Sequence, residues 1–146
     1  MNQIDCFFNF KRHGWKFDNE KLLAVKEGLG IRNNIIFSRH RILGSKNVWG
    51  VHVLKEHKKF GRFHHIQIKT NMPSSYLNKC ILHEMMHAVQ AERYDNCDAW
   101  TLAYHNAGGN YFMNMENPER YRNNEFELEA EQFANTYADI ISVIKT

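Results

Sequence analysis

The sequence predicts one α+β domain spanning residues 1–146. Three observations point there. Two β-rich runs, 48–54 and 63–70, flank a charged segment that ends in glycine, the pattern of a hairpin. A strongly apolar helical stretch follows the hairpin, and a second helical stretch closes the chain. No repeat or low-complexity linker divides the sequence, and 146 residues suit a single core.

Each element has its own reason. Ile4 to Phe10 is short and aromatic and reads as a strand. Asp18 is placed to cap a helix through Leu22, Leu23, Val25 and Lys26, which Gly28 or Gly30 ends. Asn34 to Ser38 reads as a strand around Ile35, Ile36 and Phe37. Val48 to Leu54 is rich in β-branched and aromatic residues, Lys55 to Gly61 reads as a turn, and Phe63 to Thr70 alternates as the second arm. Pro73 and Ser74 announce the central helix, with Ser74 or Ser75 as its cap. On that helix Leu77, Ile81, Met85 and Ala88 share one face, Leu82, Met86 and Val89 a second, and His83, His87 and Gln90 a third. A helix apolar on two faces is expected to be buried on most sides. Asp95 to Pro118 reads as irregular, with Gly108-Gly109 inside it. Helical periodicity returns from Arg120 to Lys145 through Phe126, Ala130, Phe133, Tyr137, Ile140 and Ile144.

Composition bounds the partners. A formal charge of +3 is too small to predict nucleic-acid binding. Cys6, Cys80 and Cys97 are odd in number and form no CxxC pair, so they read as free thiols in a reducing compartment. The first residues lack a secretory h-region, because Phe7 and Phe8 sit among Asp5, Asn9, Lys11 and Arg12. No stretch approaches the roughly 18 apolar residues of a membrane span. The expectation is a cytoplasmic protein with no membrane partner, in the host cytoplasm if a phage encodes it.

The segment His83-Glu84-Met85-Met86-His87 carries the chemistry. Nine histidines make a chance HExxH less rare than usual, so its setting matters. Here it lies on a helix, where residues four apart stand one above the other. His83 and His87 can then aim two imidazoles at one ion. Glu84 sits at the edge of the same site, placed to reach a metal-bound water as general base without being a ligand. Zinc lowers the pKa of such a water toward about 7. A catalytic zinc has three protein ligands, so a third must come from elsewhere.

The segment Glu127-Leu128-Glu129-Ala130-Glu131-Gln132-Phe133-Ala134 resembles the ExxA-acid-x-FA segment of compact gluzincin peptidases, HExxH enzymes whose third zinc ligand is a glutamate. The resemblance covers roughly the second half of the chain. It implies a zincin-like fold, with a small mixed sheet and hairpin packed on a central HExxH helix and a C-terminal helix facing it. It implies Glu127 as third ligand and Glu131 as the carboxylate that supports the first histidine from outside the coordination sphere. It also implies that the strand before the active helix, Phe63 to Thr70 by position, forms the upper rim of the cleft. Read alone, the alternation of Glu125, Glu127, Glu129 and Glu131 is a solvated helix face, and Glu125 or Glu129 stays open as a ligand. A looser resemblance joins Tyr104-His105-Asn106-Ala107-Gly108-Gly109-Asn110-Tyr111-Phe112 to SprT/Spartan-like metallopeptidases, which implies His105 as the third ligand. Its spacing departs from their tight HG-x-x-F.

The resulting expectation is a zinc peptidase acting on a peptide or protein. One alternative is a DNA-associated SprT-like protease using His105, with His57-Lys58-Lys59 and Arg62-Phe63-His64 as its diffuse basic segment. Another is a zincin-fold binding or regulatory module without turnover, which has no use for Glu84. Four tyrosines, Tyr94, Tyr104, Tyr111 and Tyr121, are candidates to stabilise an oxyanion. His64 and His65 point to opposite faces of a strand, so one of them can pair with His52 across the hairpin, a weak second metal site. Cys80, one turn before His83, reads as a small buried hydrophobe.

Overall fold

The computed structural model describes residues 4–6, 16–41, 43, 48–59, 61–69 and 72–145. In chain order these form β1 (Ile4–Cys6), β2 (Lys16–Phe17), α1 (Asn19–Gly28), β3 (Asn34–His40), β4 (Gly50–His57), β5 (Gly61–Lys69), α2 (Ser74–Ala91), α3 (Cys97–Asn106), α4 (Pro118–Arg122), α5 (Glu125–Tyr137) and β6 (Ile144–Lys145). The class is α+β as expected. Residues 7–10 of the first expected strand, Phe60 of the turn and Thr70 lie outside the described residues. No helix among the described residues is long and apolar enough to cross a membrane.

The main sheet has the order β1-β3-β5-β4. β1, β3 and β5 run parallel, and β4 closes one end antiparallel to β5 in the predicted hairpin, with Gly50 opposite Ile68 and His57 opposite Gly61. β2 and β6 form a separate antiparallel pair. Asp18 caps α1 as predicted, its carboxylate accepting the Lys21 N–H at 3.2 Å. Gly30, at φ 75°, then turns the chain toward β3.

α2 packs against both the hairpin and α5. Leu77, Ile81, Leu82, Met85 and Ala88 are fully buried, joined in one core by Ile35 and Phe37 of β3, Ile66 and Ile68 of β5, and Ala134 of α5. Each large side chain there contributes about 1.5–3 kcal/mol by leaving water. Neither Ser74 nor Ser75 caps α2. Pro73 holds the cap position and makes no side-chain cap bond, and at a helix start its missing N–H forfeits no helical hydrogen bond.

Two expectations in the second half need correction. The segment from Asp95 to Pro118 is not irregular throughout. Asn96 caps α3 by accepting the Ala99 N–H at 2.8 Å, and Trp100 anchors the helix in a cluster with Leu54, Ala91 and Phe126. Gly109, at φ 81°, ends that helix by donating to the Tyr104 carbonyl. Nor is Arg120 to Lys145 one helix. It breaks at Asn124, which is buried and caps α5 by accepting the Phe126 N–H at 2.9 Å. α5 stops at Tyr137. Beyond it Asn78 of α2 claims the chain, donating to the Ala138 and Ile141 carbonyls at 2.9 and 2.8 Å and accepting the Val143 N–H at 2.8 Å. Ile140 is therefore exposed, and Ile144 lies on a strand.

Candidate metal centre

α2 and α5 bring the polar cluster together. His83 and His87 are one turn apart, with ring centroids at 4.9 Å and planes nearly perpendicular. The Nε2 atoms of both rings face the Glu127 carboxylate, His83 at 3.0 Å from Oε1 and His87 at 3.0 Å from Oε2. Donors on a tetrahedral zinc stand about 3.3 Å apart when each bond is about 2.0–2.1 Å long. Each of the two contacts, one to either Glu127 oxygen, is close to the separation of two donors on a bound zinc. Glu127 is in the first turn of α5, where the helix dipole favours an anion. Small Ala130 and Ala134, both fully buried, accompany the close approach of α5 to α2.

The other ring nitrogens are held from behind. His83 Nδ1 meets Glu131 Oε2 at 3.2 Å, and Lys79 neutralises the other Glu131 oxygen at 2.9 Å. His87 Nδ1 meets Gln90 Oε1 at 2.8 Å. The Gln90 amide group donates to the Phe126 carbonyl at 2.8 Å and to Glu129 at 2.7 Å, so its oxygen can only accept. Partners that only accept thus hold a proton on Nδ1 of both histidines, while Nε2 of each donates to the Glu127 carboxylate; release of the Nε2 proton leaves the Nδ1–H tautomer that ligation through Nε2 requires. Gln90 was legible as the third member of the His83/His87 face, but its role was not. Glu129 is taken by Arg93, in a two-bond pair at 3.0 and 2.9 Å, and Glu125 is exposed.

Tyr104 from α3 and Tyr121 from α4 also donate to Glu127, the latter at 3.1 Å. They are the two of the four candidate tyrosines that reach the cluster. Asn124 fixes this arrangement, since its amide donates to the Tyr104 and Gly109 carbonyls, at 3.2 Å each, while its oxygen caps α5. His105, next to Tyr104, is exposed at the last turn of α3. The structure brings Glu127 to His83 and His87, and leaves His105 outside.

Glu84 is 5 % exposed, and its Oε2 has no hydrogen-bond partner. Donor atoms of His83, Glu84 and His87 lie within 4.8 Å of one another. Glu127 belongs with the two imidazoles more closely than Glu84 does, because its oxygens touch both Nε2 atoms. Burial pushes the Glu84 carboxyl up, partly offset by the two histidines. Burial opposes charge on His83, yet Glu127 and Glu131 outweigh it and hold its pKa up at about 10. His87 is raised in the same way by Glu127, and Glu127 is pulled well below the usual carboxylate range by the two histidines despite its burial. Burial and the Glu127 charge push both tyrosines up, so they remain donors.

The cluster opens into a cleft of about 570 Å³ lined by Trp49, Gly50, His52, Tyr76, Trp100, Tyr111 and Phe112. The strand beside it is β4, not Phe63 to Thr70. β5 lies between β3 and β4 and has its backbone paired on both sides, whereas β4 ends the sheet. Gly50 was missed by sequence reasoning. A Cβ there would stand 2.6 Å from Cys80 Sγ and 3.3 Å from Glu84 Oε1, so only glycine lets β4 approach α2 this closely. Cys80 and Cys97 are free thiols, and burial raises the pKa of both. The expected basic segment is split: His57, Lys58 and Lys59 are exposed, while His64 is fully buried. Comparison with known proteins finds no match, whether among family models, curated proteins or solved structures.

Proposed function

We propose that this chain is a zinc peptidase of zincin-like fold, with His83, His87 and Glu127 as metal ligands and Glu84 as general base. The observation that carries this reading is the buried Glu84 carboxylate, whose Oε2 is unpartnered beside two imidazoles whose Nδ1–H groups are held by Glu131 and Gln90. An unsatisfied buried polar atom costs about 1–3 kcal/mol or more, and a binding module would have no reason to keep it. A zinc ion held by the three ligands would supply Lewis acidity, lowering the pKa of a water in its open position to about 7. Glu84 Oε2 takes the proton of the attacking water as its oxygen adds to the scissile carbonyl carbon. The same carboxyl then gives that proton to the leaving amine nitrogen as the C–N bond breaks. Glu131 and Gln90 hold the two imidazoles in register throughout. Tyr104 and Tyr121 donate to Glu127 and hold it in place. The aromatic walls of the cleft suit a peptide with apolar side chains.

The test is metal content together with hydrolysis of casein, an unfolded protein. Purified or zinc-reconstituted protein is expected to hold about one zinc per chain and to cleave casein, and Glu84→Gln to keep the zinc without cleaving. Absence of any bound transition metal after reconstitution would remove the proposal.

A further inference from the structure

A second set of imidazoles reaches the same cleft from the hairpin. On β4, alternate residues share a face: Gly50 faces Cys80 and Glu84, Leu54 joins Trp100 and Phe126, and His52 lies between them. The His52 ring lines the cleft, 6.3 Å from the His87 ring and 6.4 Å from that of Trp100. Its Nε2 is 2.9 Å from Nδ1 of fully buried His64, whose Nε2 is 2.8 Å from Glu92 Oε2. Glu92 is anchored in turn, accepting the backbone N–H groups of Arg32 and Asn33 at 2.8 and 3.0 Å and the Asn33 amide at 3.0 Å.

These bonds have a direction. A carboxylate only accepts, so His64 Nε2 carries the proton. With one proton on each ring, His64 Nδ1 is then an acceptor, and His52 Nε2–H must donate to it. That leaves His52 Nδ1 as a bare lone pair on a ring that lines the cleft. We propose that His52 is a substrate-contacting residue, whose unprotonated Nδ1 accepts a backbone N–H of the bound peptide, and that Glu92 positions it through His64. This rests on the peptidase reading above and adds a determinant of binding to it. Burial and the neighbouring imidazoles hold His52 well below its ordinary pKa, consistent with a neutral acceptor. A purely structural role would tie β4 and β5 to the end of α2 and would leave peptide recognition untouched.

The test uses the zinc-loaded full chain and three probes: acetohydroxamate, a peptidyl hydroxamate, and the same compound N-methylated at its adjacent amide. Wild type, His52→Phe and His52→Asn are compared. Wild type is expected to favour the N–H over the N-methyl compound by about three- to tenfold more than His52→Phe does, the size of one hydrogen bond. His52→Asn, which can place an amide oxygen near the Nδ1 position, should recover part of that preference. Acetohydroxamate, which offers only the metal-binding group, should bind all three proteins alike. Nitrogen-15 spectra of labelled wild type should show His52 Nδ1 unprotonated and shifting when the peptidyl hydroxamate is added. An undiminished N–H preference in His52→Phe, or a proton on His52 Nδ1, overturns the role of His52 and leaves the peptidase reading standing. Failure of zinc-loaded wild type to bind any hydroxamate overturns both.

Discussion

His83, His87 and Glu127 form one cluster, and His52, His64 and Glu92 form another. Each contains two imidazoles and one carboxylate. Their geometry differs. In the first, two Nε2 atoms converge on one carboxylate and both Nδ1 atoms are held from behind. In the second, the bonds run in series, so that both His64 nitrogens and His52 Nε2 are consumed before any ion could be shared. Among the described residues, donor atoms within 4.8 Å of one another are grouped at His83, Glu84 and His87 of α2, with Glu127 of α5 against both imidazoles. The cause is the backbone. Residues i and i+4 of a helix project side by side, whereas His52 and His64 are diagonal neighbours across the hairpin, opposite Ile66 and Leu54, and meet ring to ring. Composition therefore says little about metal binding until the supporting element is known.

Mutations can separate the two clusters. The largest effect is expected from Glu84→Gln, which should lower hydrolysis by about 10²–10⁴-fold while zinc content stays at the wild-type value. Casein cleavage at an unchanged rate would exclude Glu84 as the base. Next comes Glu127→Ala, which removes a ligand and should weaken zinc binding by more than about 100-fold. Glu131→Ala, which frees His83 Nδ1 and Lys79 but removes no ligand, should cost about 10–100-fold. His105→Ala should leave affinity unchanged, because His105 is exposed and outside the cluster. Competition against a chromophoric chelator ranks the three, and metal release by His105→Ala would reverse the ligand assignment.

The serial cluster is expected to act on stability instead. Burial would raise the Glu92 carboxyl, but His64 and the Arg32 and Asn33 N–H groups outweigh it and bring its pKa to about 2. A carboxyl depressed on folding stabilises fully above its unfolded pKa of about 4.3 and loses that contribution as pH falls through the folded value. Between about pH 4.5 and pH 2 the protein should lose on the order of 3 kcal/mol from this group. Glu92→Gln should remove that part of the acid dependence and destabilise by a similar amount near neutrality, with zinc content unchanged. Urea unfolding at several pH values measures both. A Glu92→Gln protein with the wild-type acid slope would show that the series of bonds is not formed in solution. The smallest effect concerns the wall between the clusters. Gly50→Ala should cost about 1–3 kcal/mol through its collision with Cys80 Sγ, and Cys80→Ala should relieve part of it, read as a double-mutant cycle in thermal unfolding.

Much of this was legible in local pattern. Asp18, Gly30, the hairpin and the faces of α2 follow from periods of two and 3.6 and from capping chemistry, which act over a few residues. The errors arose where distant groups override local preference. Asn78 ends α5 from 60 positions away by binding the Ala138 carbonyl, and buried Asn124 interrupts a continuous helical period because it is needed to hold the end of α3. α3 was missed because its apolar stripe is short, with only Trp100 buried.

For the site, sequence alone determined the pairing of His83 with His87 and the place of Glu84, since a helix sets those relations within one turn. The register of the Glu127 segment was readable as a resemblance, but sequence left Glu127, Glu125, Glu129 and His105 in competition. Only the tertiary structure decided which side chain stands 3.0 Å from both imidazoles, that β4 rather than β5 borders the cleft, and that Gln90, Tyr104 and Tyr121 complete the cluster. Those outcomes depend on how α5, α3 and the hairpin pack on α2. Contacts that set this packing, such as Tyr104 with Glu127 and Asn78 with Val143, join residues 23 and 65 positions apart, distances at which no local period carries information.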